Sequence, residues 1–287
     1  MKFLLVVNPI SGDKDKDALL KEVKSYVKDG DDLTIYKTTG EDDLQAIKKE
    51  LEQVNFDRVV VAGGDGTVKL VAEALEETEC SIGILPAGSA NGLAKDLNLP
   101  EKEEEFIPIA LYGKTRKVDT ILINDQLGLH ISDFGLNAEL IREYENSSLR
   151  GKLGYAVNSV STIFKNDAPY TFHIKTDTEE FTKEGIMLAL ANSKKFGTGA
   201  VVNPDGEIDD GIFEVLLFKK IDLVEIIKAL NNADELSEDF VEIFPVKSAV
   251  ITTEKKIPFQ IDGEYCDYLT KVEAKILEGK LELAVAL

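Results

Sequence analysis

The residues best suited to chemistry form one run, Gly63-Gly64-Asp65-Gly66-Thr67, directly after the apolar stretch Val59-Val60-Val61-Ala62. Glycines at the end of a buried strand permit positive φ and let a ligand approach the main chain closely. Val68, Val71, Ala72 and Leu75 then follow the spacing of an amphipathic helix. A helix predicted from Thr67 offers unpaired N–H groups and a partial positive charge at its start, which suit phosphate. Asp65 makes little sense facing a phosphate alone; it makes sense beside a metal ion or as a base aimed at a hydroxyl. The run is not a Walker loop, because Gly-Lys-Ser/Thr is absent, and it lacks the Gly-x-Gly-x-x-Gly spacing of dinucleotide sites.

Two other loops share this design. Ile82-Gly83-Ile84-Leu85 runs into Pro86-Ala87-Gly88-Ser89-Ala90-Asn91-Gly92, and the first apolar run ends in Asn8-Pro9-Ile10-Ser11-Gly12. Three strand-end loops of one parallel sheet converge on its carboxyl edge, where ligands of such sheets bind. Other chemistries are poorly served. There are two histidines, His130 and His173, so a metal site of several His ligands is excluded, and His173 sits in a strand-like alternation. No Gly-x-Ser-x-Gly elbow supports a serine nucleophile.

The elements that must position these loops alternate cleanly. Apolar runs at 3–7, 33–36, 58–62 and 81–85 are separated by helical stretches at 15–28, 42–53 and from 67. Continuous β-branched runs between helices predict a parallel sheet covered on both faces. After Lys117 the texture changes. Residues 185–191, 212–218, 249–253, 271–276 and 281–287 read as strands, the last two with period-two alternation, and helices are expected at 149–164 and 223–231. The expectation is a Rossmann-like α/β domain over 1–118, with 277–287 free to pack back on it. A β-rich antiparallel sandwich or barrel over 119–276 follows.

Composition bounds the partners. The 287 residues carry 33 Lys+Arg against 53 Asp+Glu, a formal net charge of −20, with 44% hydrophobic residues. That balance fits a globular chain and argues against nucleic acid as a partner, which needs a basic face. No apolar run reaches the roughly 18 residues of a membrane span, and residues 1–9 read as a first strand rather than a signal peptide. Cys80 and Cys266 give neither a disulfide framework nor a zinc pattern, so a reducing cytoplasm is the default. The acidic runs 101–105 and 234–242 read as solvated faces or loops.

Asn-Pro-x-Ser-Gly, then Gly-Gly-Asp-Gly-Thr, then Pro-x-Gly-Ser-x-Asn resembles the diacylglycerol kinase catalytic-domain family, which includes bacterial lipid kinases and sphingosine and ceramide kinases. The resemblance continues through Lys117-Val118-Asp119, residues 149–155, Ala191-Asn192, residues 196–199, Pro204, Ile208-Asp209-Asp210-Gly211-Ile212 and Ile261-Asp262-Gly263-Glu264. It implies an NAD kinase-like architecture, with ATP bound by Asn8, Ser11, Gly12, Thr39, Gly63, Gly64, Gly66, Thr67, Gly88, Ser89 and Asn91. It implies transfer of the γ-phosphoryl group to a hydroxyl of a lipid at the membrane surface, diacylglycerol-like first, with a sphingoid- or ceramide-like acceptor as the alternative towards which Gly-Ser-Ala-Asn-Gly-Leu-Ala leans. Glu264 is then the candidate general base, with Asp65 sharing that role or holding catalytic Mg²⁺. Asp119 belongs at the metal or the acceptor hydroxyl, and Asp209 and Asp210 resemble a structural Mg²⁺ loop. Such an enzyme is cytoplasmic and peripheral at the inner membrane surface, and a homodimer is compatible with it.

Two departures stand out. Lys69-Leu70 occupy positions where the family commonly has Asn-Glu, and Gly92 stands where many bacterial members have Asp. An NAD kinase-like enzyme and a nucleotide-binding regulator without catalysis are the alternatives; the second is suggested by these departures. The acid-free stretches 146–166 (Arg150, Lys152, Lys165) and 185–204 (Lys194, Lys195) are the surfaces expected to face an anionic bilayer.

Overall fold

The computed structural model describes residues 1–75, 78, 80–135, 137–138, 169–196, 200–231 and 236–286. The chain divides into two compact units, Met1–Val118 with Gly279–Leu287, and Asp119–Glu278. The expected helix at 149–164 and the adjoining basic residues lie outside the described residues.

In the first unit β1 (Lys2–Val7), α1 (Lys16–Tyr26), β2 (Asp32–Lys37), α2 (Asp43–Gln53), β3 (Arg58–Gly63), α3 (Asp65–Ala74), β4 (Ser81–Pro86), α4 (Gly92–Asp96) and α5 (Glu103–Tyr112) follow in order. The strands pair in parallel in the order β4-β3-β1-β2. All six residues of β3 are buried, because helices cover both faces of the sheet and its sequence is correspondingly apolar throughout. Asp15 caps α1 by accepting the N–H groups of Asp17 and Ala18. At the opposite end of β3 from the glycine run, buried Arg58 donates to Ser81 Oγ (2.9 Å) and to the carbonyls of Ala110 (3.3 Å) and Gly113 (3.0 Å). That end of the sheet is thereby tied to α5.

One expectation is corrected here. Helix α3 begins at Asp65, not Thr67, because Gly64 serves as its N-cap in extended geometry. The acidic run at 101–105 is a solvated face: Glu101, Glu104 and Glu105 are exposed and Glu103 partly so. Glu103, Glu104 and Glu105 form the first turn of α5, where their charge complements the helix dipole, while Phe106, Ile107, Ala110 and Leu111 are buried against the sheet.

The second unit is antiparallel. β5 (Lys114–Ile123) leads into it, followed by β6 (Gln126–Gly128), β7 (Ile131–Gly135), β8 (Tyr170–Thr176), β9 (Glu180–Gly185), β10 (Met187–Ala191), β11 (Lys195–Phe196), β12 (Ala200–Val201), β13 (Phe213–Phe218), α6 (Leu223–Leu230), β14 (Val241–Val246), β15 (Ser248–Ile261) and β16 (Glu264–Val285). The pairing order is β14-β13-β10-β7-β15-β16, with β8 and β9 added beside β15. One core layer gathers Phe134, Phe172, Phe213 and Phe259, with Phe134 and Phe259 centroids 4.7 Å apart. A second layer, under Met187, Ala189, Leu216 and Phe218, takes the inner face of α6 through Ala229.

The strands expected at 271–276 and 281–287 are one 22-residue strand, β16. Gly279 keeps a positive φ of 56° within it, so a residue that reads as a break is only a local kink. Leu283 of β16 pairs in parallel with Ile82 of β4 in the first unit. The acid-free stretch at 185–204 is not a lipid-facing surface over β10. Leu188 and Leu190 enter one core layer and Met187, Ala189 and Ala191 the other, so that strand lacks acids because it is buried on both sides. Nor is Glu242 part of a solvated run: it lies on β14 and pairs with Lys183 and Lys219.

Candidate functional site

In the first unit β1 leads to β2 on one side, and β3 then lies on its other side. Between β1 and β3 the connections diverge, the switch point at whose carboxyl ends ligands of such sheets bind. The loop after β1 is locked to both neighbours. Asn8 N donates to Ala62 O at 3.0 Å and its Nδ2 to Thr67 Oγ1 at 3.1 Å. Ser11 Oγ donates to Ala87 O at 3.2 Å. Gly12 has φ +54°, and a Cβ there would fall 2.7 Å from Ala87 O. A Cβ on Gly63 would lie 2.5 Å from Thr67 Oγ1, and one on Gly88 only 2.3 Å from Gly64 Cα. The backbones of the two glycine loops therefore touch with no side chain between them. Asn91, at φ +53°, accepts the Gly88 N–H at 2.8 Å and returns its Nδ2 to Gly88 O at 2.9 Å. Ser89 stands exposed at the outer turn of the same loop, and Gly66 lies in the first turn of α3.

Asp65 belongs to the helix rather than to the loop before it. It opens α3, and its carboxylate accepts the N–H groups of Gly92 (2.8 Å) and Leu93 (3.1 Å) at the start of α4. One carboxylate thus joins the two glycine loops. Lys69 is buried and Leu70 half-buried on α3. Thr39 is engaged in its own loop: its N–H goes to Asp43 Oδ1 (2.9 Å) and its hydroxyl to Glu41 O (3.0 Å). Burial alone would raise the Asp43 carboxyl, but hydrogen bonds from Tyr36, Thr39 and Gly40 outweigh it and hold the group below the ordinary range.

In the second unit the structure brings Asp119 and the 209–211 turn together. Asp119 Oδ2 accepts the Gly211 N–H at 2.7 Å, its own N–H reaches Ile208 O at 2.7 Å, and Asn192 Nδ2 donates to its carbonyl at 2.8 Å. Burial, then the charges of Asp119 and Glu207, raise the Asp210 carboxyl above its usual value. Among the described residues, no group of three or more His, Cys, Asp or Glu side chains is arranged to hold a metal ion. Glu264 is the exposed first residue of β16, reached from β15 through the two-residue turn Asp262-Gly263.

Several site-forming residues were not singled out from the sequence. Glu214 is buried, hydrogen-bonded to Asn203 Nδ2 at 2.6 Å, and pushed up to about 7, by burial first and then by Asp210 and Asp205. His130 Nδ1 meets Ser193 Oγ at 2.9 Å. Asp133 is fully buried on β7, and burial raises it to about 6. A lone acid within the apolar stretch Ile131-Ser132-Asp133-Phe134 was the available signal for it. On α6, Val224, Ile227 and Leu230 are more than half exposed, at 63%, 58% and 55%, and Ile221 just before it is 41% exposed. That apolar stripe was hidden in a helix read only as a helix.

The diacylglycerol kinase catalytic domain model matches residues 2–123, and the model described as YegS C-terminal NAD kinase beta sandwich-like domain matches residues 131–285. A YegS-like lipid kinase by name, from Chromohalobacter salexigens, is 31% identical over 283 residues, which is 94% of this chain and 90% of the relative. A Bacillus subtilis diacylglycerol kinase is 24% identical over 272 residues, 91% of this chain and 89% of the relative. A solved Bacillus anthracis chain shares the fold at a TM-score of 0.80 and 22% identity, over 99% of this chain and 96% of the other. A diacylglycerol kinase crystal structure from the same organism aligns at 0.73 and 19% identity, again over 99% and 96%.

Proposed function

Because this chain belongs to the lipid kinase family that joins a diacylglycerol kinase catalytic domain to a YegS-type C-terminal domain, we propose that it transfers the γ-phosphoryl group of ATP to a lipid hydroxyl, with diacylglycerol as the leading acceptor. The observation that carries this reading is the side-chain-free contact of Gly64 with Gly88 beside the start of α3. The N-terminus of α3 opens there, at a place where side chains would crowd a phosphate chain. Residues 1–118, with 277–287, form the nucleotide half in this reading, and 119–276 the lipid half.

Phosphoryl transfer asks a protein mainly for positioning and for neutralisation of oxygen charge. Asn8, Ser11, Gly12, Thr39, Gly63, Gly64, Gly66, Thr67, Gly88, Ser89 and Asn91 cradle the nucleotide. Glu264, exposed at its hairpin turn, accepts the proton of the lipid hydroxyl. The acceptor oxygen bonds to the γ-phosphorus as the bond to the ADP oxygen breaks. Asp65 holds the two glycine loops in register through Gly92 and Leu93. Mg²⁺ bound with the nucleotide would supply charge neutralisation, and Asp65 would be the carboxylate of the first unit to hold it. Asp119 is the second unit's candidate for the metal or for the acceptor hydroxyl. Asp209 and Asp210 suit a structural ion, consistent with the raised Asp210 carboxyl, which a cation would relieve.

The lipid acceptor brings the protein to a bilayer. Among the described residues no helix is long and apolar enough to cross one. The stripe Ile221, Val224, Ile227 and Leu230 supports α6 as the contact surface.

The deciding experiment is turnover of radiolabelled ATP with diacylglycerol, a sphingoid base, ceramide and NAD as acceptors. Labelled lipid is the expected product. Label in NAD alone would overturn the lipid reading in favour of the NAD kinase-like one, and nucleotide binding without any turnover would favour a regulator.

A further inference from the structure

Glu264 leaves a two-residue hairpin loop in which Asp262 (φ +51°) and Gly263 (φ +88°) both take positive φ, the backbone that matches the twist of its strands. Three sets of contacts hold this turn. Asp262 accepts the N–H groups of Leu129 (2.8 Å), His130 (2.8 Å) and Ile131 (3.2 Å). Asp262 N returns a bond to Ile131 O at 3.0 Å. Gly263 N donates to Gln260 Oε1 at 2.6 Å.

The third contact depends on a residue with no evident reason to be where it is. Gln260 is 1% exposed and lies directly opposite Asp133 in the β7–β15 register. Its Nε2 donates to Asp133 Oδ2, which also accepts Asn137 Nδ2 at 2.7 Å, while Asp133 Oδ1 accepts Ala138 N at 3.0 Å. Asp133 is 0% exposed, and its partners among the described residues are two amides and a backbone N–H, with no cation. Burying a carboxylate this way is costly, so a hydrophobic residue would serve a plain core better. An ionised carboxylate only accepts and a backbone N–H only donates. A glutamine between them has one satisfied orientation: NH₂ towards Asp133, Oε1 towards Gly263.

We propose that Asp133 is a positioning residue for the Glu264 turn, acting through Gln260 to keep an acceptor on the Gly263 N–H. This rests on Glu264 being the base of the reaction above. Asp133 touches no substrate; it fixes the direction from which Glu264 leaves the sheet.

The test reverses the polarity of the chain. In Asp133→Asn an NH₂ group replaces one acceptor. Gln260 then turns its own oxygen towards it, and Gly263 loses its bond. Amide exchange at Gly263 should accelerate about tenfold and kcat fall about tenfold with KM for ATP unchanged, the scale of one hydrogen bond. In the double variant, Asp133→Asn with Gln260→Glu, the new amide on β7 donates to one oxygen of the new carboxylate on β15, and the other oxygen accepts the Gly263 N–H. Protection and kcat should return to within about threefold of the parent. A double variant no better than D133N, or a D133N protein with parental exchange at Gly263, overturns the proposal. Should D133N not fold, Gln260→Met removes the same acceptor and must reproduce both losses. Glu264→Gln separates the two readings: if it stays active, the base assignment fails, while exchange at Gly263 still decides the role of Asp133.

Discussion

Gly64 and Gly88 meet backbone to backbone: a Cβ on Gly88 would lie 2.3 Å from Gly64 Cα, inside any tolerable contact. The loops that follow β3 and β4 are thereby fused into one wall. Gly88→Ala should therefore destabilise the first unit by roughly 1–3 kcal/mol, the usual scale of overpacking. It should also weaken ATP binding more than a distant substitution of equal cost. Thermal melts beside nucleotide titration check this; an Ala variant with parental affinity would show that the wall does not meet the nucleotide.

Asp65 both joins the glycine loops and stands on the catalytic list. Asp65→Asn keeps one acceptor for the pair Gly92 N and Leu93 N and loses the charge. Stability should drop by about 1–2 kcal/mol, as for a lost cap or a charge-assisted bond. Transfer should fall by about 100-fold or more if the carboxylate is chemical rather than architectural. A melt and a turnover assay on one sample tell these apart, and a retained rate confines Asp65 to architecture.

Glu264 is exposed at a hairpin tip and contributes little to packing. Glu264→Gln should leave the melting temperature within about 2 °C, as for a surface change. It should lower kcat by about 100-fold to 10,000-fold, the range for removing a general base. An unchanged kcat would take Glu264 off the list.

The Asp133 carboxyl sits at about 6 instead of 3.8 because burial disfavours its charge. Between those values the folded state holds a proton that the unfolded state has released, so this group's contribution to stability is greatest below about pH 4. It is lost as pH rises to 6 and stays constant above that. The rise from 3.8 to about 6 corresponds to about 3 kcal/mol as an upper scale. Asp133→Asn has no such titration. The stability of the parent relative to D133N, from urea melts at half-unit pH steps, should therefore decline from pH 4 to 6 and then level. Parallel curves would mean that the group is not burdened as described.

The apolar stripe on α6 predicts a membrane phenotype. Val224→Ser with Ile227→Ser should leave stability within about 0.5 kcal/mol per site, because both side chains are more than half exposed. It should also cut co-sedimentation with phosphatidylglycerol vesicles severalfold while ATP affinity holds. Unchanged sedimentation would exclude α6 as the contact.

Much of this was legible in the chain. The alternation of β-branched runs with helices gives the parallel sheet, because strands buried on both faces must be continuously apolar. The glycine runs mark the places where backbone must come close, since no other residue permits it. The same cues misled where burial and polarity part company. Residues 187–191 lack acids because β10 is sandwiched between two core layers, not because they face lipid.

By itself the sequence determined which positions lack side chains, which segments are apolar and which residues carry charge, all local properties that period and composition record. The tertiary structure decided what each charge faces. Asp65 serves two N–H groups 27 and 28 residues away, and Asp133 reaches Gln260 across 127. Hydrogen bonds over such separations depend on strand register and loop convergence, which no local pattern encodes. For that reason the carboxylates were visible from the start and their tasks were not.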